Sequence, residues 1–188
     1  MTRDELEKNY WGFYILLERK FEEITRYVEL SEDNYRTYSL EFASLLREIG
    51  SEIDVIMKAL CGIDDNSEAN MKIYSKEILE KYLDICERKV SGRGIKITPF
   101  MGWSKGKQEK SLKWWNAYNS IKHGRVTNFK KANLKNVFYA LGALCILNNY
   151  LLIKNHVGEL FYDEYLDGNI ITIQREKTIK DYLKEINY

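Results

Sequence analysis

The chain has few of the residues that break helices or cross-link small domains. Its 188 residues include a single proline, Pro99, so proline rarely interrupts a helix. The three cysteines are widely spaced within apolar helical patterns: Cys61, Cys86 and Cys145. This usage is typical of reduced core thiols in a cytoplasm rather than of a disulfide framework. Paired Cys/His spacings are also lacking, so the sequence predicts no zinc site and no cofactor.

Long apolar runs are missing as well. No stretch of about 18 consecutive apolar residues occurs, which argues against a membrane span. Residues 1–8 are mostly polar or charged, and the apolar core of a signal peptide does not follow them. We therefore expect a cytoplasmic protein without membrane contact. A chain of this length fits one domain, and such a domain buries roughly 70% of its unfolded surface without needing metals or disulfides.

What the sequence does contain is charge of both signs in separate regions. Residues 88–135 hold thirteen Lys or Arg and one acid, Glu109, whereas the whole chain holds 29 basic and 28 acidic residues. The middle therefore carries a net charge of +12, and the flanks, with 16 basic and 27 acidic residues, carry −11. Such segregation indicates an electropositive surface that could meet phosphates. The alternative is that the basic middle and acidic flanks neutralise each other within the fold or across a dimer.

Apolar periodicity predicts about five helices. They span about Thr2–Val28, Tyr38–Leu60, Glu68–Arg88, Ser111–His123 and Asn128–Lys154. The last is apolar nearly all round, so we expect it to be the central core helix. Ile95–Thr98 alternates like a short strand, and Ile170–Ile173 is expected to pair with it. We predict an all-α fold, a bundle of about five helices with a small two-stranded β appendage. It forms a single domain, 1–188, whose appendage covers about 158–188.

The segment Trp114–Arg125 combines aromatic, amide and basic residues on one helix. One stripe of this helix is assigned to packing: Trp114, Tyr118 and Ile121. The next stripe places Asn119 one turn before His123, with Lys122 and Arg125 beside them. A histidine can take a proton from a ribose 2′-hydroxyl, and neighbouring cations can stabilise charge on the attacked phosphorus. The alternative is a helix end at Gly124, where His123 binds carbonyls and the cations are solvated.

Three further features bear on a site. The second helix carries a polar line made up of Arg47, Ser51, Asp54 and Lys58. This line either faces solvent with internal ion pairs, or lines a groove with His123 in which Arg47 clamps phosphate. Trp103, in a glycine-rich loop, is the best candidate for an exposed aromatic that stacks on unpaired bases. A metal-dependent hydrolase using Glu52, Asp54 and His123 is a third alternative, although no helix carries two ligands at metal-binding spacing. The other histidine, His156, has no obvious partner and is given no role.

The pattern Tyr118-Asn-Ser-Ile-Lys-His123, one helix ahead of a long apolar helix, resembles the HEPN (higher eukaryote and prokaryote nucleotide-binding) superfamily. The resemblance covers about residues 38–154. It implies an all-α bundle, often dimeric, frequent in bacterial toxin–antitoxin and phage-defence systems, and in many cases a metal-independent endoribonuclease. The family motif is an arginine, a polar residue and a histidine. Asn119 and His123 match the last two, whereas Tyr118 stands in the arginine position and cannot neutralise phosphate charge.

The sequence therefore predicts an RNA- or nucleotide-binding protein, and the resemblance implies metal-independent RNA cleavage. His123 would be the general acid/base and Asn119 would orient it. The substrate-binding residues would be Lys122, Arg125, Tyr118, Arg47 and Trp103. The alternative is a non-enzymatic helical interaction module with a degenerate site. Catalysis requires Asn119 and His123 to open into one cleft with a cation. Expected partners are RNA or a nucleotide, a second copy of the chain in a homodimer, and an antitoxin or defence partner protein.

Overall fold

The computed structural model describes residues 2–104, 112–155, 168 and 170–173. These residues are mostly helical, with a small antiparallel sheet, which confirms the predicted fold class in its coarse form. Most of the predicted appendage, 158–188, lies outside the described residues, as does His156.

The N-terminal helical segment begins with a capping box. The Thr2 N–H donates to Glu5 Oε2 at 2.7 Å, and the Glu5 N–H donates to Thr2 Oγ1 at 3.2 Å. Helix α1 (Arg3–Leu6) passes through a π-helical turn (Glu7–Trp11) into α2 (Gly12–Ile24). The segment ends a turn earlier than predicted, at Thr25, whose hydroxyl donates to the Glu22 carbonyl at 2.8 Å.

Helices α3 (Leu40–Cys61) and α6 (Leu134–Lys154) pack along each other and form the centre of the core. The Ser39 hydroxyl caps α3 by accepting from the Phe42 N–H at 3.0 Å, and Gly62 ends it with φ +71°. Helix α6 is buried almost all round, as predicted for the core helix. It is long and apolar enough to cross a membrane, but 78% of its most apolar window is buried in the fold, so this is weak evidence for a span.

Helix α4 (Met71–Lys81) is shorter than the predicted Glu68–Arg88. Asn70 caps its start by accepting from the N–H groups of Lys72 and Ile73. It stops because the next residues are held by α6 instead of continuing the helix. Tyr82 packs on Tyr150 with ring centroids 4.5 Å apart, and the Tyr150 hydroxyl donates to Asp84 at 2.7 Å.

The sheet has three strands rather than two: β1 (Val90–Gly92), β2 (Ile95–Ile97) and β3 (Ile171–Ile173), in the order β2-β1-β3. The prediction that Ile170–Ile173 pairs with Ile95–Thr98 is wrong, because β1 lies between them and pairs with both. Strand β1 joins β2 through the two-residue turn Arg93-Gly94, where both φ values are positive, as in a type I′ hairpin. Gly92 lies against the Phe138 ring with no room for a Cβ, which brings β1 onto α6.

Helix α5 (Lys113–Asn128) contains a kink at Gly124, where the backbone is non-helical (φ −157°, ψ 55°). The predicted helix end at Gly124 is thus a bend, after which α5 continues for one more turn to Asn128. The Asn128 side-chain amide stabilises this bend by donating to the Gly124 carbonyl at 2.9 Å. A short 3₁₀ helix (Phe129–Lys131) follows, so α6 begins six residues later than predicted.

Candidate functional site

The predicted packing stripe of α5 is buried as expected. Trp114, Tyr118 and Ile121 lie in the core, and the neighbouring Trp115 joins them. The rings form a continuous series, with Trp114 edge-on to Trp115 at 5.9 Å and Trp115 tilted against Tyr118 at 5.0 Å. The Trp114 indole N–H donates to the Pro99 carbonyl at 2.9 Å. These contacts fix the rotation of α5 about its axis and therefore decide which of its residues are exposed at the surface.

Tyr118 fixes α5 against α3 by packing directly on Gly50. A Cβ added at Gly50 would lie 2.2 Å from Tyr118 Cδ2, a distance that no real contact reaches. Glycine is therefore required at this position by the close approach of an aromatic ring, and not by its backbone angles. Tyr118 is 5% exposed, so only its edge reaches solvent.

The edge of Tyr118 forms one wall of a pocket between α3 and α5, which we call the α3–α5 pocket. Its volume is about 250 Å³. The pocket is lined by Ser44, Arg47, Ser51, Tyr118 and Lys122. Lys122 Nζ lies 5.6 Å from the centroid of the Tyr118 ring, within cation–π distance. Three residues predicted to bind substrate, Arg47, Tyr118 and Lys122, are thus brought together here.

Both cations of the α3–α5 pocket are available to a ligand. Within the described part of the chain, no carboxylate forms an ion pair with Arg47 or Lys122. The nearest acid on the same helix, Glu48, is paired with Lys20 and also accepts from the Ser44 hydroxyl at 3.3 Å. The pocket therefore has a net positive lining, which favours an anion.

The polar line on α3 divides into two halves that make different contacts. Its first half, Arg47 and Ser51, lines the α3–α5 pocket, but His123, which the groove alternative placed in the same groove, does not line it. In its second half, Asp54 pairs with Lys58 at 3.6 Å and accepts from the Tyr74 hydroxyl at 2.6 Å. The predicted solvent exposure therefore holds for Arg47 and Ser51, whereas the predicted ion pair is found in the half-buried part of the line, between Asp54 and Lys58.

The two predicted catalytic residues lie beside the α3–α5 pocket and do not line it. Asn119 is half-buried and His123 is exposed. Because successive helical residues are about 100° apart, each projects to the side of the pocket residue that precedes it. Arg125 is exposed beyond the kink. The structure thus brings neither His123 nor Asn119 into one cleft with Arg47.

The expectation that Trp103 is exposed is wrong. Trp103 is 3% exposed and packs against Phe100, with ring centroids 5.3 Å apart. The reason is local: Gly102 adopts φ +81°, which turns the chain back towards the core before residue 103. The Trp103 carbonyl also accepts from Cys86 Sγ at 3.3 Å, whereas its indole N–H has no hydrogen-bond partner among the described residues. Trp103 therefore offers no surface for base stacking.

The metal-dependent alternative finds no support in the described residues, where no three His, Cys, Asp or Glu side chains converge on one point. Asp54 is held by Lys58 and Tyr74, away from His123. Burial raises the pKa of Glu52. The cysteines are free thiols, and burial raises the pKa of Cys61 to about 11, which keeps it protonated.

No family model, no curated protein and no solved structure matches this chain.

Sequence reasoning missed two residues of this site, and each left a signal. Ser44 lies three residues before Arg47, so extending the polar line by one helical step would have included it. Gly50 lies in the middle of a long helix, where glycine costs about 1 kcal/mol relative to alanine. A glycine kept at that cost indicates a close approach of another chain segment.

Proposed function

We propose that the chain binds RNA by holding its phosphate groups in the α3–α5 pocket. One observation carries the proposal: Arg47 and Lys122, from two different helices, meet in one pocket with the hydroxyls of Ser44 and Ser51. A guanidinium, an ammonium and hydroxyl groups are the side chains that most often bind phosphate oxygens. Residues 88–135, the segment that includes Lys122, contain an excess of Lys and Arg that would attract the rest of the strand.

We further propose that the chain is a divergent relative of the HEPN superfamily in which Arg47 replaces the missing motif arginine. In the resemblance, Tyr118 stands in the arginine position. Tyr118 and Arg47 line the same pocket. The Arg47 guanidinium, which comes from α3, could therefore bind a phosphate next to Tyr118, where the motif arginine would otherwise bind it. This would restore the phosphate-binding charge without restoring the motif in the sequence.

Replacing Arg47 by alanine is expected to weaken RNA binding about tenfold, because one charge-assisted hydrogen bond to phosphate is lost. The dependence of affinity on salt should also become shallower by about one unit of log–log slope. Fluorescence anisotropy with a labelled single-stranded RNA, measured between roughly 50 and 200 mM salt, tests both. The affinity of Arg47→Lys for RNA should lie between those of the wild-type protein and Arg47→Ala, since lysine keeps the charge but lacks the planar fork of arginine.

Arg26→Ala is the matched control, because Arg26 is exposed and does not line the α3–α5 pocket. It should change affinity much less than Arg47→Ala. Equal losses of affinity in the two variants would mean that RNA binding depends only on the overall charge of the protein, and the pocket would have no special role.

RNA cleavage is a second candidate, although His123 and Asn119 do not share a cleft with Arg47 and the only pocket cation next to His123 in the sequence is Lys122. This histidine is exposed and immediately follows Lys122, so it could act on a strand whose phosphate sits in the neighbouring pocket. We expect wild-type protein to cleave a mixed-sequence RNA in EDTA, and His123→Ala to bind the same RNA without cleaving it.

The same experiment separates the alternatives. Binding without cleavage in the wild type would leave the chain as an RNA-binding protein and remove the catalytic role of His123. Neither binding nor cleavage would favour a helical interaction module that acts on a protein partner. Gel filtration with light scattering on the same sample tests the homodimer that the HEPN resemblance implies.

A further inference from the structure

We infer that the α3–α5 pocket prefers a phosphate monoester, the terminal phosphate of an RNA strand or of a free mononucleotide, over an internal diester. The inference rests on the proposed phosphate binding and adds the chemical class that the pocket selects. It is carried by the charge of the pocket and by its hydrogen-bond donors.

The charge of the pocket matches a monoester better than a diester. Arg47 and Lys122 bring two positive charges, and no carboxylate of the described chain pairs with either. A phosphate monoester carries about −1.5 to −2 at pH 7, whereas each diester of a nucleic-acid backbone carries one negative charge. A diester would therefore leave one of the two cations without a counter-charge.

The donors of the pocket also exceed what a diester can use. A monoester presents three terminal oxygens, and a diester presents two. Arg47 supplies a planar fork that can bind two oxygens at once, while Lys122 provides a point charge from the opposite helix. The hydroxyls of Ser44 and Ser51 flank Arg47 on α3 and can each donate one hydrogen bond. The Ser44 hydroxyl would leave its 3.3 Å bond to Glu48 to do so.

The pocket is small and opens to solvent. Its volume of about 250 Å³ lies below the range of roughly 300–1,000 Å³ that is usual for small-molecule sites. Tyr118 is almost fully buried and cannot withdraw, because its ring is fixed between Trp115 and Gly50. The pocket therefore has room for a phosphate group, and because its four polar residues are exposed, the attached sugar and base can extend into solvent.

The test is isothermal titration calorimetry with unlabelled RNAs of one sequence that end in a 5′-phosphate, in a 3′-phosphate or in hydroxyls at both ends. Adenosine monophosphate and adenosine form a second pair, which separates a free nucleotide from a strand end. We expect at least one phosphate-ended RNA to bind wild-type protein about tenfold more tightly than the hydroxyl-ended RNA, since it adds a charge-assisted contact. In Arg47→Ala this preference should disappear, whereas Arg26→Ala should retain it.

The outcomes distinguish this inference from the proposed function. Equal binding of all three RNAs, weakened to the same extent by Arg47→Ala, would overturn monoester selection and leave RNA binding at the pocket standing. Binding of adenosine monophosphate but not adenosine, lost in Arg47→Ala, would support the inference with a free nucleotide as the ligand. No binding of any phosphate-bearing ligand would overturn both.

Discussion

Replacing Glu18 by alanine is expected to lower the free energy of unfolding by about 3 kcal/mol. Glu18 is fully buried on α2, where its Oε1 accepts from the backbone N–H groups of Ile170 at 3.2 Å and Ile171 at 2.9 Å. It also accepts from the Tyr14 hydroxyl at 3.0 Å. Each hydrogen bond to a charged group contributes about 1.5–3 kcal/mol to stability. The total loss is smaller than the sum of these contributions, because the N–H groups of the released strand β3 can form hydrogen bonds to water instead. Urea unfolding followed by circular dichroism measures the loss.

Two variants and one local measurement make this prediction specific. Glu23→Ala removes an exposed carboxylate from the same helix and should change stability by less than about 0.5 kcal/mol. Glu18→Gln keeps one acceptor oxygen and should lose less than Glu18→Ala. The amide of Ile171 should exchange with solvent faster in Glu18→Ala. If stability and the Ile171 exchange rate both stay at wild-type values, the carboxylate does not anchor β3.

Much of the helical architecture could be predicted because its limits are set by neighbouring residues. The Thr2–Glu5 capping box, the Ser39 cap and the Gly62 terminator each depend only on residues within a few positions of a helix end. The burial of α6 also follows from composition, because a helix that is apolar on all sides has no face to offer to water.

The errors arise where distant residues decide the local structure. Helix α4 keeps an apolar pattern beyond Lys81, but Tyr82 and Asp84 bind Tyr150 on α6 and the helix ends. Strand β1 has only three residues, too few for an alternating pattern to stand out. Its place in the sheet depends on the contact of Gly92 with Phe138, which no local rule supplies.

Only part of the candidate site could be predicted from the sequence, because contacts between distant residues decide the rest. Periodicity on α5 correctly separates buried Tyr118 from exposed His123. The sequence leaves open whether Arg47 faces solvent or a groove, because the answer depends on how α3 and α5 are rotated against each other. That rotation is set by the contact between Gly50 and Tyr118. The site therefore depends on one close packing contact more than on its polar residues.

Replacing Gly50 by alanine is accordingly expected to cost about 2–3 kcal/mol of stability, even though alanine is the better helix former. The new Cβ would lie 2.2–2.5 Å from Tyr118 Cδ2, Cγ and Cε2. These atoms include the base of the ring, so a change at the end of a flexible side chain cannot relieve the clash. Either Tyr118 turns out of the core or α5 moves away from α3. Urea unfolding measures the stability, and RNA binding should weaken in parallel because Arg47 and Lys122 no longer converge.

A double-mutant cycle with Tyr118→Ala separates this clash from an unspecific loss of stability. Without the ring, the alanine at position 50 has nothing to displace and adds helix propensity worth up to about 1 kcal/mol. The double variant should therefore be at least as stable as Tyr118→Ala alone, although Gly50→Ala destabilises the wild type. Additive losses would mean that alanine is costly at position 50 for a reason unrelated to Tyr118. The ring could then no longer be regarded as the element that sets the distance between the two cations.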